Sequence, residues 1–252
     1  MRIHHDANIA VETVLECLES TGTPMKTSNR SAVWRVERWV VKQSRGSFIA
    51  RTVRHTLQYQ KHRRHWDAAC YLNRRGIHVP RPIAFVEWCF AGLHTRNALI
   101  SELLEGQRNV EQHLFTMTRQ DVGKEKIVAF LEQLARAINQ LNQCNAYHAD
   151  LSGKNIFTRD GEHFSFIDLD AVILQAQYTE ERRMRNHVQL YDSFCDQLSD
   201  HLLVPFITQL LPEDIDPRIW MPKVRSGQQE RRRRIEAIWE KQGKFRPKPE
   251  VF

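Results

Sequence analysis

Several features that mark other classes of protein are missing from this sequence of 252 residues. No apolar run approaches the roughly eighteen residues that a membrane-spanning helix needs, which excludes such a helix. The N-terminal segment carries acidic side chains and lacks the uninterrupted apolar stretch of a signal peptide, so we expect the protein to remain in the cytoplasm. The five cysteines are scattered without a C-x-x-C pair, which predicts reduced thiols and argues against a disulfide framework or a zinc site.

The composition is that of a folded protein with a basic surface. Hydrophobic residues make up 41% of the chain and charged residues 27%, and the length suits one large domain or two lobes that share a cleft. The net charge of +7 and the isoelectric point near 9.3 favour anionic partners: nucleotide phosphates, nucleic acid or an acidic membrane surface. A basic face that is merely solvated explains the charge equally well.

The first third of the sequence predicts mainly strands. The stretch AVWRVERWVVK is rich in valine and tryptophan, and Glu37-Arg38 at its centre predicts the turn of an antiparallel hairpin. Residues 58–76 predict a helix. Residues 97–106, NALISELLEG, predict a buried strand that runs into a connector.

The remainder of the sequence predicts mainly helices. An apolar stripe at helical spacing predicts a long amphipathic helix, and it consists of Ile127, Leu131, Leu134, Ile138 and Leu141. Asp160-Gly161 lies between two apolar runs and predicts a β-hairpin. A strand-rich part followed by a helix-rich part indicates an α+β fold within one domain, with an N-lobe of about residues 20–103 and a C-lobe of about residues 107–240.

Three polar groups follow the amphipathic helix at spacings that suit phosphoryl transfer. Asp150 lies in the segment YHADLSGKNIF, Asn155 follows in the same segment, and Asp168 ends the apolar run after the predicted hairpin. Phosphoryl transfer needs a carboxylate near the attacking hydroxyl and oxygen ligands that hold a divalent cation across the phosphates. Because the hairpin returns the chain to its start, the side chains of Asn155 and Asp168 are expected side by side. Such a pair suits Mg²⁺, which also takes phosphate oxygens and water.

These segments resemble those of known kinases. HADLSGKN followed by IDLD resembles the catalytic and metal-binding loops of the protein-kinase-like superfamily, whose pattern is H-x-D-L-x-x-x-N and then a D-F-G-type aspartate. Within it, the sequence most resembles the bacterial lipopolysaccharide kinase family, through HADL, GIHVPRPIAF, IDLD and RRMRNHVQLYDSF. The resemblance implies a bilobal protein-kinase-like fold and a phosphotransferase that uses ATP and Mg²⁺.

The resemblance also implies a role for each candidate residue of the catalytic loops. Asp150 would be the catalytic aspartate that orients or deprotonates the acceptor hydroxyl, and His148 would brace its loop. Asn155 and Asp168 would hold Mg²⁺ and, through it, the nucleotide. Lys42, at the end of RWVVK, would bind the α- and β-phosphates.

Two further segments would hold the nucleotide by the same resemblance. The connector around Glu102, Leu103 and Leu104 would be the hinge whose backbone groups read the adenine edge. TSNRSAVW stands where the superfamily has a G-x-G-x-x-G loop, and Asn29 and Ser31 are its candidate phosphate-binding groups.

The predicted helix lacks the glutamate that the superfamily pairs with its phosphate-binding lysine. In RRHWDAACYL, His65 stands near the expected position and Asp67 follows two residues later. Two alternatives stay open: Asp67 substitutes for the glutamate, or the ion pair is missing.

Other polar groups have a plain structural interpretation beside the functional one. His62 and His65 are candidate metal ligands or core histidines, and Lys154 either contacts the transferred phosphate or faces solvent. We expect His4-His5 to lie in a flexible terminus. The basic stretch QERRRRIEAIWEKQGKFRPKP either binds nucleic acid or anionic lipid, or forms a solvated, salt-bridged helix face.

The resemblance implies an ATP-dependent kinase that phosphorylates a sugar hydroxyl of the lipopolysaccharide inner core, on 3-deoxy-manno-octulosonic acid (Kdo) or heptose. It implies a peripheral protein at the inner face of the bacterial cytoplasmic membrane, with this glycolipid as substrate, an anionic membrane surface as partner and no nucleic acid. Two alternatives remain: a kinase for a protein or another small molecule, and a pseudokinase that only binds. The sequence sets no oligomeric state.

Overall fold

Six strands from the first half of the chain form one antiparallel sheet in the computed structural model, which describes residues 1–28, 31–45, 52, 61–241 and 243. Their bounds are Arg2–His5 (β1), Thr23–Thr27 (β2), Ser31–Val36 (β3), Trp39–Ser44 (β4), Pro82–Phe90 (β5) and Leu93–Glu102 (β6). Across the sheet the order is β1, β5, β6, β4, β3, β2. The hairpin expected at Glu37-Arg38 joins β3 to β4, and Glu37 adopts a φ of 51° in its turn.

The N-terminal histidines belong to this sheet. β1 pairs with β5 so that His4 lies opposite Phe85 and His5 opposite Ala84, and the ring of His4 stacks on that of Phe85 at 6.0 Å. The expectation of a flexible terminus at His4-His5 is therefore wrong. The sequence around His4 and His5 does not show that they are ordered, because the strand that pairs with them lies about eighty positions further along the chain.

Two helices cover the sheet. Helix α1 (Val11–Glu19) buries Val14 and Cys17 in a core with Trp39 and Val41 of β4. Successive strand side chains point to opposite faces, so Lys42, next to Val41, points away from α1. Helix α2 (Lys61–Asn73) packs against β5 and β6, and its residues Ala68, Ala69 and Leu72 join the core of the second half of the chain. The first three residues of the helix predicted over 58–76 lie outside the described residues.

The second half of the chain is mainly helical. Its helices are Val110–Arg119 (α3), Lys124–Gln143 (α4), Glu180–Phe194 (α5), Asp200–Thr208 (α6) and Pro217–Lys241 (α7). Its short strands are Arg108–Asn109 (β7), Ala146–His148 (β8), Ile156–Thr158 (β9), Phe164–Phe166 (β10) and Val172–Leu174 (β11). They form the sheets β10-β9-β7 and β11-β8. The apolar stripe predicted between Ile127 and Leu141 lies on α4 and faces the core, with Leu134, Ile138 and Leu141 buried.

Helix α5 lies at the centre of this half and is held from outside by α7. Gly227 of α7 approaches Val188 so closely that a Cβ at this position would lie 2.8 Å from Val188 Cγ2. The indole N–H of Trp220 donates to His187 Nδ1 at 2.9 Å, and both side chains are buried. Asp192 accepts hydrogen bonds from several α7 side chains, which are Gln228, Arg231 and Arg232. Part of the basic stretch is therefore salt-bridged to α5.

The arrangement is α+β, with a sheet-rich first part and a helix-rich second part, as the sequence indicates. The strand β6 ends at Glu102, and the chain enters the second part through the residues that follow it. None of the helices in the described ranges is both long enough and apolar enough to cross a membrane.

Candidate active site

The hairpin between Asn155 and Asp168 brings two distant backbone segments together. β9 and β10 pair with Ile156 opposite Phe166, and the turn between them contains Gly161 with a φ of 82°. One residue beyond the ladder, the N–H of Ile167 donates to the carbonyl of Asn155 at 2.9 Å. Asp168 is next in the chain, so the local Asp-Gly signal is sufficient to bring it beside Asn155.

His148 ties the start of the catalytic loop to the end of this hairpin. The N–H of Asp150 donates to His148 Nδ1 at 3.2 Å, so Nδ1 is the acceptor and Nε2 carries the proton. Nε2 in turn donates to the carbonyl of Ile167 at 2.9 Å. Burial lowers the pKa of His148, against the raising effect of the Ile167 carbonyl and of nearby carboxylates, and so favours this neutral tautomer. The bracing role expected for His148 matches these contacts.

Asn155 is held in one orientation by Asp150. Its Nδ2 donates to the backbone carbonyl of Asp150 at 2.9 Å and to Asp150 Oδ2 at 3.0 Å. Both amide hydrogens are thereby engaged, and Oδ1 remains as the side-chain oxygen that could accept a cation. Ser152 Oγ lies 3.5 Å from the other carboxylate oxygen of Asp150, and Lys154 Nζ lies 3.9 Å from Oδ2.

Asp168 faces Lys42 across the boundary between the sheet and the helical part. Lys42 Nζ lies 3.9 Å from Asp168 Oδ1, and about half of the Asp168 side chain is exposed. Asp168 adopts a left-handed backbone conformation, φ 57° and ψ 44°, which is rare for a residue with a side chain and is common at functional sites. The structure therefore brings Lys42 to the same place as the catalytic loop.

Asp168 shares its surroundings with a second carboxylate. Burial and a hydrogen bond with Asp170 raise the pKa of Asp168. Burial on its own would raise the pKa of Asp170 too, but Lys42, the hydrogen bond from Asp168 and Lys61 lower it. Lys61 Nζ lies 3.1 Å from Asp170 Oδ2.

Helix α2 presents no carboxylate to Lys42. Asp67 pairs with Arg63, one turn earlier on the same helix, with Arg63 Nε 3.2 Å from Oδ1. The alternative in which Asp67 replaces the missing glutamate is therefore wrong, because position 67 is turned towards Arg63. His65 lies on the Lys42 side of the helix and is buried, and burial and the charge of Lys42 lower its pKa to about 3.

Helix α5 supports the loop that contains Asp150, through contacts that the sequence does not indicate. Gln189 accepts from the N–H of Leu151 at 2.9 Å and donates to the carbonyl of Ala149 at 3.0 Å. Ser193, one turn later, accepts from the N–H of Gly153 at 2.9 Å. The signal in the sequence is weak: two polar residues four positions apart on a helix face that is otherwise buried.

Glu111 supports the same loop from α3. Its Oε1 accepts from the N–H of Lys154 at 3.1 Å, and burial raises its pKa against the lowering effect of hydrogen bonds from its neighbours. Gly153 packs so closely on Glu111 that a Cβ at position 153 would lie 2.6 Å from Glu111 Cγ. Only glycine fits here without a shift of Glu111 or of the loop. The sequence does not indicate that Glu111 belongs to this site, because it lies about forty residues away on another helix.

The structure describes one of the two candidate phosphate-binding residues in the loop before β3. Ser31 begins β3, and its N–H donates to Ser28 Oγ at 3.0 Å. Asn29, the other candidate of this loop, lies outside the described residues. Val33, two residues after Ser31, lies opposite Lys42, so Ser31 and Lys42 are on neighbouring strands.

The connector after β6 contains one backbone N–H, between residues 102 and 105, that is available to a ligand. The N–H of Glu102 donates to the carbonyl of Arg81 at 2.9 Å. The N–H of Leu103 donates to the carbonyl of Arg38, also at 2.9 Å. Between residues 102 and 105, which the structure describes throughout, only Leu104 has an N–H that donates to no described acceptor.

The oxygen ligands of this site fit Mg²⁺. Asn155 Oδ1 and the carboxylate of Asp168 are hard oxygen donors, and Mg²⁺ usually takes one or two protein ligands together with phosphate oxygens and water. Within the described ranges, no group of three or more His, Cys, Asp or Glu side chains is arranged to hold a metal ion. His62 and His65 are buried and belong to no such group within the described residues.

The sequence has relatives among known proteins. The chain is 34% identical over 124 residues to the 3-deoxy-D-manno-octulosonic acid kinases of Xanthomonas campestris pv. campestris strains B100 and 8004. The match covers 48% of this chain and 45% of each relative, so the chain spans about half the length of the curated relatives it matches.

The fold has a solved counterpart. The structure of "WaaP in complex with acyl carrier protein" superposes with a TM-score of 0.66 at 17% identity, covering 95% of this chain and all of that one. This likeness confirms the α+β kinase-like fold. The family described as "Lipopolysaccharide kinase (Kdo/WaaP) family" matches residues 10–209, which is most of the sequence. The chain therefore belongs to the lipopolysaccharide kinase (Kdo/WaaP) family.

Proposed function

We propose that this protein is an ATP- and Mg²⁺-dependent kinase that phosphorylates a sugar hydroxyl, of Kdo or heptose, in the lipopolysaccharide inner core. The observation that carries the proposal is the convergence of Asp150, Asn155, Asp168 and Lys42 from three separate elements. Membership of the family and the Kdo kinase relatives support the acceptor class. Residues 1–252 would form one domain, with an N-lobe of about residues 20–103 and a C-lobe of about residues 107–240.

In the proposed reaction Asp150 acts on the acceptor. Its carboxylate is about one-third exposed and is fixed by Asn155, so it can accept a hydrogen bond from an incoming hydroxyl and receive its proton. Lys154, 3.9 Å from Asp150 Oδ2, adds positive charge on the side where the phosphoryl group would transfer. Hydrogen bonds to His148, Gln189, Ser193 and Glu111 hold the loop, so the carboxylate of Asp150 would not have to move when the acceptor binds.

Lys42, Asn155 and Asp168 hold the nucleotide in this proposal. Mg²⁺, when bound, offsets the negative charge of the phosphate oxygens. Asn155 Oδ1 and Asp168 would be its protein ligands, and Lys42 would contact the α- and β-phosphates. Leu104, with its unengaged N–H, is the connector residue best suited to donate to the adenine ring, with the carbonyl of Glu102 beside it. Ser31 would lie near the phosphates at the start of β3.

A peripheral position at the inner face of the cytoplasmic membrane suits this substrate. The acceptor glycolipid is polyanionic, and the chain carries a net charge of +7. Each Lys or Arg near an anionic membrane surface adds about 1 kcal/mol of attraction. The basic charge thus favours encounter with the acceptor and with the bilayer that holds it.

Transfer of radiolabelled γ-phosphate from ATP to deacylated lipopolysaccharide core tests the proposal. We expect transfer by the unaltered chain, none by Asp150→Ala, and Mg·ATP affinity in Asp150→Ala within a few-fold of the original. Asp168→Asn should instead weaken Mg·ATP binding. The matched control is Asp121→Asn, an exposed position with a φ of 47° that asparagine tolerates well.

Three results would count against the proposal. If Asp150→Ala retains most of the activity, the role given to Asp150 is wrong. Phosphate on a generic protein but not on the core would favour the protein-kinase alternative. Thermal stability that does not respond to Mg·ATP would favour the pseudokinase.

A further inference from the structure

The hairpin between β5 and β6 ends in four apolar residues that face solvent, residues 90–93. Phe90 is 72% exposed, the highest fraction for any large hydrophobic side chain in the described part of the chain. Leu93 is 44% exposed and lies directly opposite Phe90 in the ladder, so both side chains emerge from the same face of the hairpin. The hairpin tip therefore presents an apolar patch of the kind that marks an interaction surface.

The turn at this tip has an alanine where a polar residue would fit better. Ala91 and Gly92 both have a positive φ, 48° and 78°, as the commonest two-residue hairpin turns require. Asparagine or aspartate usually precedes the glycine of such a turn, because both tolerate this backbone conformation better than alanine does. Alanine at this exposed position thus costs stability and leaves the tip without a polar side chain. Such a choice favours contact of the tip with apolar surroundings.

The charges behind the tip are positive. Between Glu87 and Glu102 the sequence contains no aspartate or glutamate, and Glu87 itself is buried. The guanidinium of Arg96 lies over the ring of Trp88, 4.8 Å from its centroid. Arg45 is exposed and follows the last residue of β4, the strand that pairs with β6. Aromatic and cationic side chains behind an apolar tip fit the headgroup level of an anionic bilayer.

The hairpin extends from the end of the sheet that lies furthest from the connector. Along β6, Glu102 adjoins the connector, Leu99 lies opposite Lys42, and Leu93 lies about 20 Å beyond Leu99 at 3.3 Å per residue. In the proposed site the nucleotide extends from the connector towards Lys42, which is the same direction. A bilayer in contact with the tip would therefore lie on the γ-phosphate side of the cleft and not on the adenine side.

We propose that the tip of the β5–β6 hairpin, residues 90–93, inserts into the interface of an anionic lipid bilayer and turns the cleft towards an acceptor held in that bilayer. This inference rests on the peripheral membrane position in the proposed function and assigns it to a particular segment. Phe90 and Leu93 enter the boundary between headgroups and acyl chains, while Arg45 and Arg96 stay among the lipid phosphates.

Co-sedimentation of the whole chain with lipid vesicles tests this contact without ATP or an acceptor. The vesicles contain phosphatidylcholine alone, or phosphatidylcholine mixed with phosphatidylglycerol. We expect weaker binding to the neutral vesicles. For the anionic ones, Phe90→Ser and Leu93→Ser should each lower the affinity about tenfold, equivalent to about 1.4 kcal/mol. The matched control is Ile219→Ser, an exposed isoleucine in the first turn of α7, which should change the affinity by less than about twofold.

Ala91→Asn distinguishes membrane contact from a purely structural role of the turn. Because asparagine tolerates the left-handed conformation, the melting temperature should rise by roughly 2–4 °C. Vesicle binding should weaken at the same time, because the amide side chain loses water on entering the interface. A more stable variant that binds the anionic vesicles as tightly as the unaltered chain would count against insertion of the turn.

Phosphate transfer to two forms of the acceptor connects the contact with function. Phe90→Ser should phosphorylate soluble deacylated core at the original rate, because the tip lies far from Lys42. It should phosphorylate the acylated glycolipid in vesicles about tenfold more slowly, in proportion to its weaker binding. An equal loss on both acceptors would show that the substitution disturbs the fold or the site, and would overturn the inference.

The remaining outcomes separate this inference from the kinase proposal. Equal vesicle binding by Phe90→Ser and the unaltered chain, or an equal loss in Ile219→Ser, would overturn the role of the tip and leave the kinase proposal standing. A dimer in solution that Phe90→Ser abolishes would assign the patch to a second copy of the chain instead. Vesicle binding through the tip by a chain that transfers no phosphate would refute the kinase proposal and support this contact.

Discussion

Replacement of Gln189 by methionine tests whether α5 holds the catalytic loop. Methionine has nearly the same length and volume, so it preserves packing while it removes both hydrogen bonds, to Leu151 N–H and to Ala149 O. Leu151 is fully buried, so its N–H would lose its partner without gaining water. We expect a loss of about 2–4 kcal/mol in unfolding free energy: about 1–3 kcal/mol for the unsatisfied Leu151 N–H and about 1 kcal/mol for the lost hydrogen bond to the partly buried Ala149 carbonyl. The melting temperature should fall by roughly 5–15 °C.

The same substitution should affect catalysis more than nucleotide binding. Asp150 lies between the two backbone groups that Gln189 holds, so we expect kcat to fall at least tenfold, equivalent to about 1.4 kcal/mol, with little change in the KM for ATP. Thermal unfolding and phosphate transfer to deacylated core are the two measurements. Gln143→Met, the same change at the exposed end of α4, is the control and should alter neither. A Gln189→Met protein with unchanged melting temperature and kcat would refute the reasoning.

Two other predictions follow from packing and burial. Gly153→Ala forces Glu111 aside and should destabilise the protein by about 1–3 kcal/mol, as overpacking does, and lower kcat; normal melting and kcat would show that the loop adjusts. Burial lowers the pKa of His65 and of His187 to about 3, so the unfolded chain, with a histidine pKa near 6.5, binds protons first as the pH falls. Their stabilising contribution is complete above pH 6.5 and is lost below it, by about 1.4 kcal/mol per pH unit for each histidine. Urea unfolding at pH 7.5 and 5.5 measures this loss, and an unfolding free energy that is equal at both would contradict it.

The sequence predicts those parts of the site that depend on local geometry. The Asp-Gly turn forces the hairpin to double back, so the approach of Asp168 to Asn155 follows from about fifteen consecutive residues. The amphipathic helix α4 follows equally from its apolar period. Each of these features depends on neighbours in the chain.

The parts that the sequence does not predict depend on contacts between distant elements. Packing of α2 on the sheet decides which face of the helix meets Lys42. Asp67 and His65 are two positions apart in the sequence, so their side chains point in directions that differ by more than half a turn. The supports of the catalytic loop, Glu111 and Gln189, come from helices about forty residues away on either side. Nothing in the local pattern around them indicates which loop they will meet.

The two-sided use of α5 has a consequence for how the chain can be divided. One side of this helix carries the loop that holds Asp150, and the other carries α7, whose Trp220 and Val224 are buried. The match to the family ends at residue 209, before α7 begins at Pro217. A shortened version cut at that boundary would uncover the back of α5 and loosen the support under the reacting groups. In the proposed kinase, α7 is thus part of the scaffold that supports the loop of Asp150.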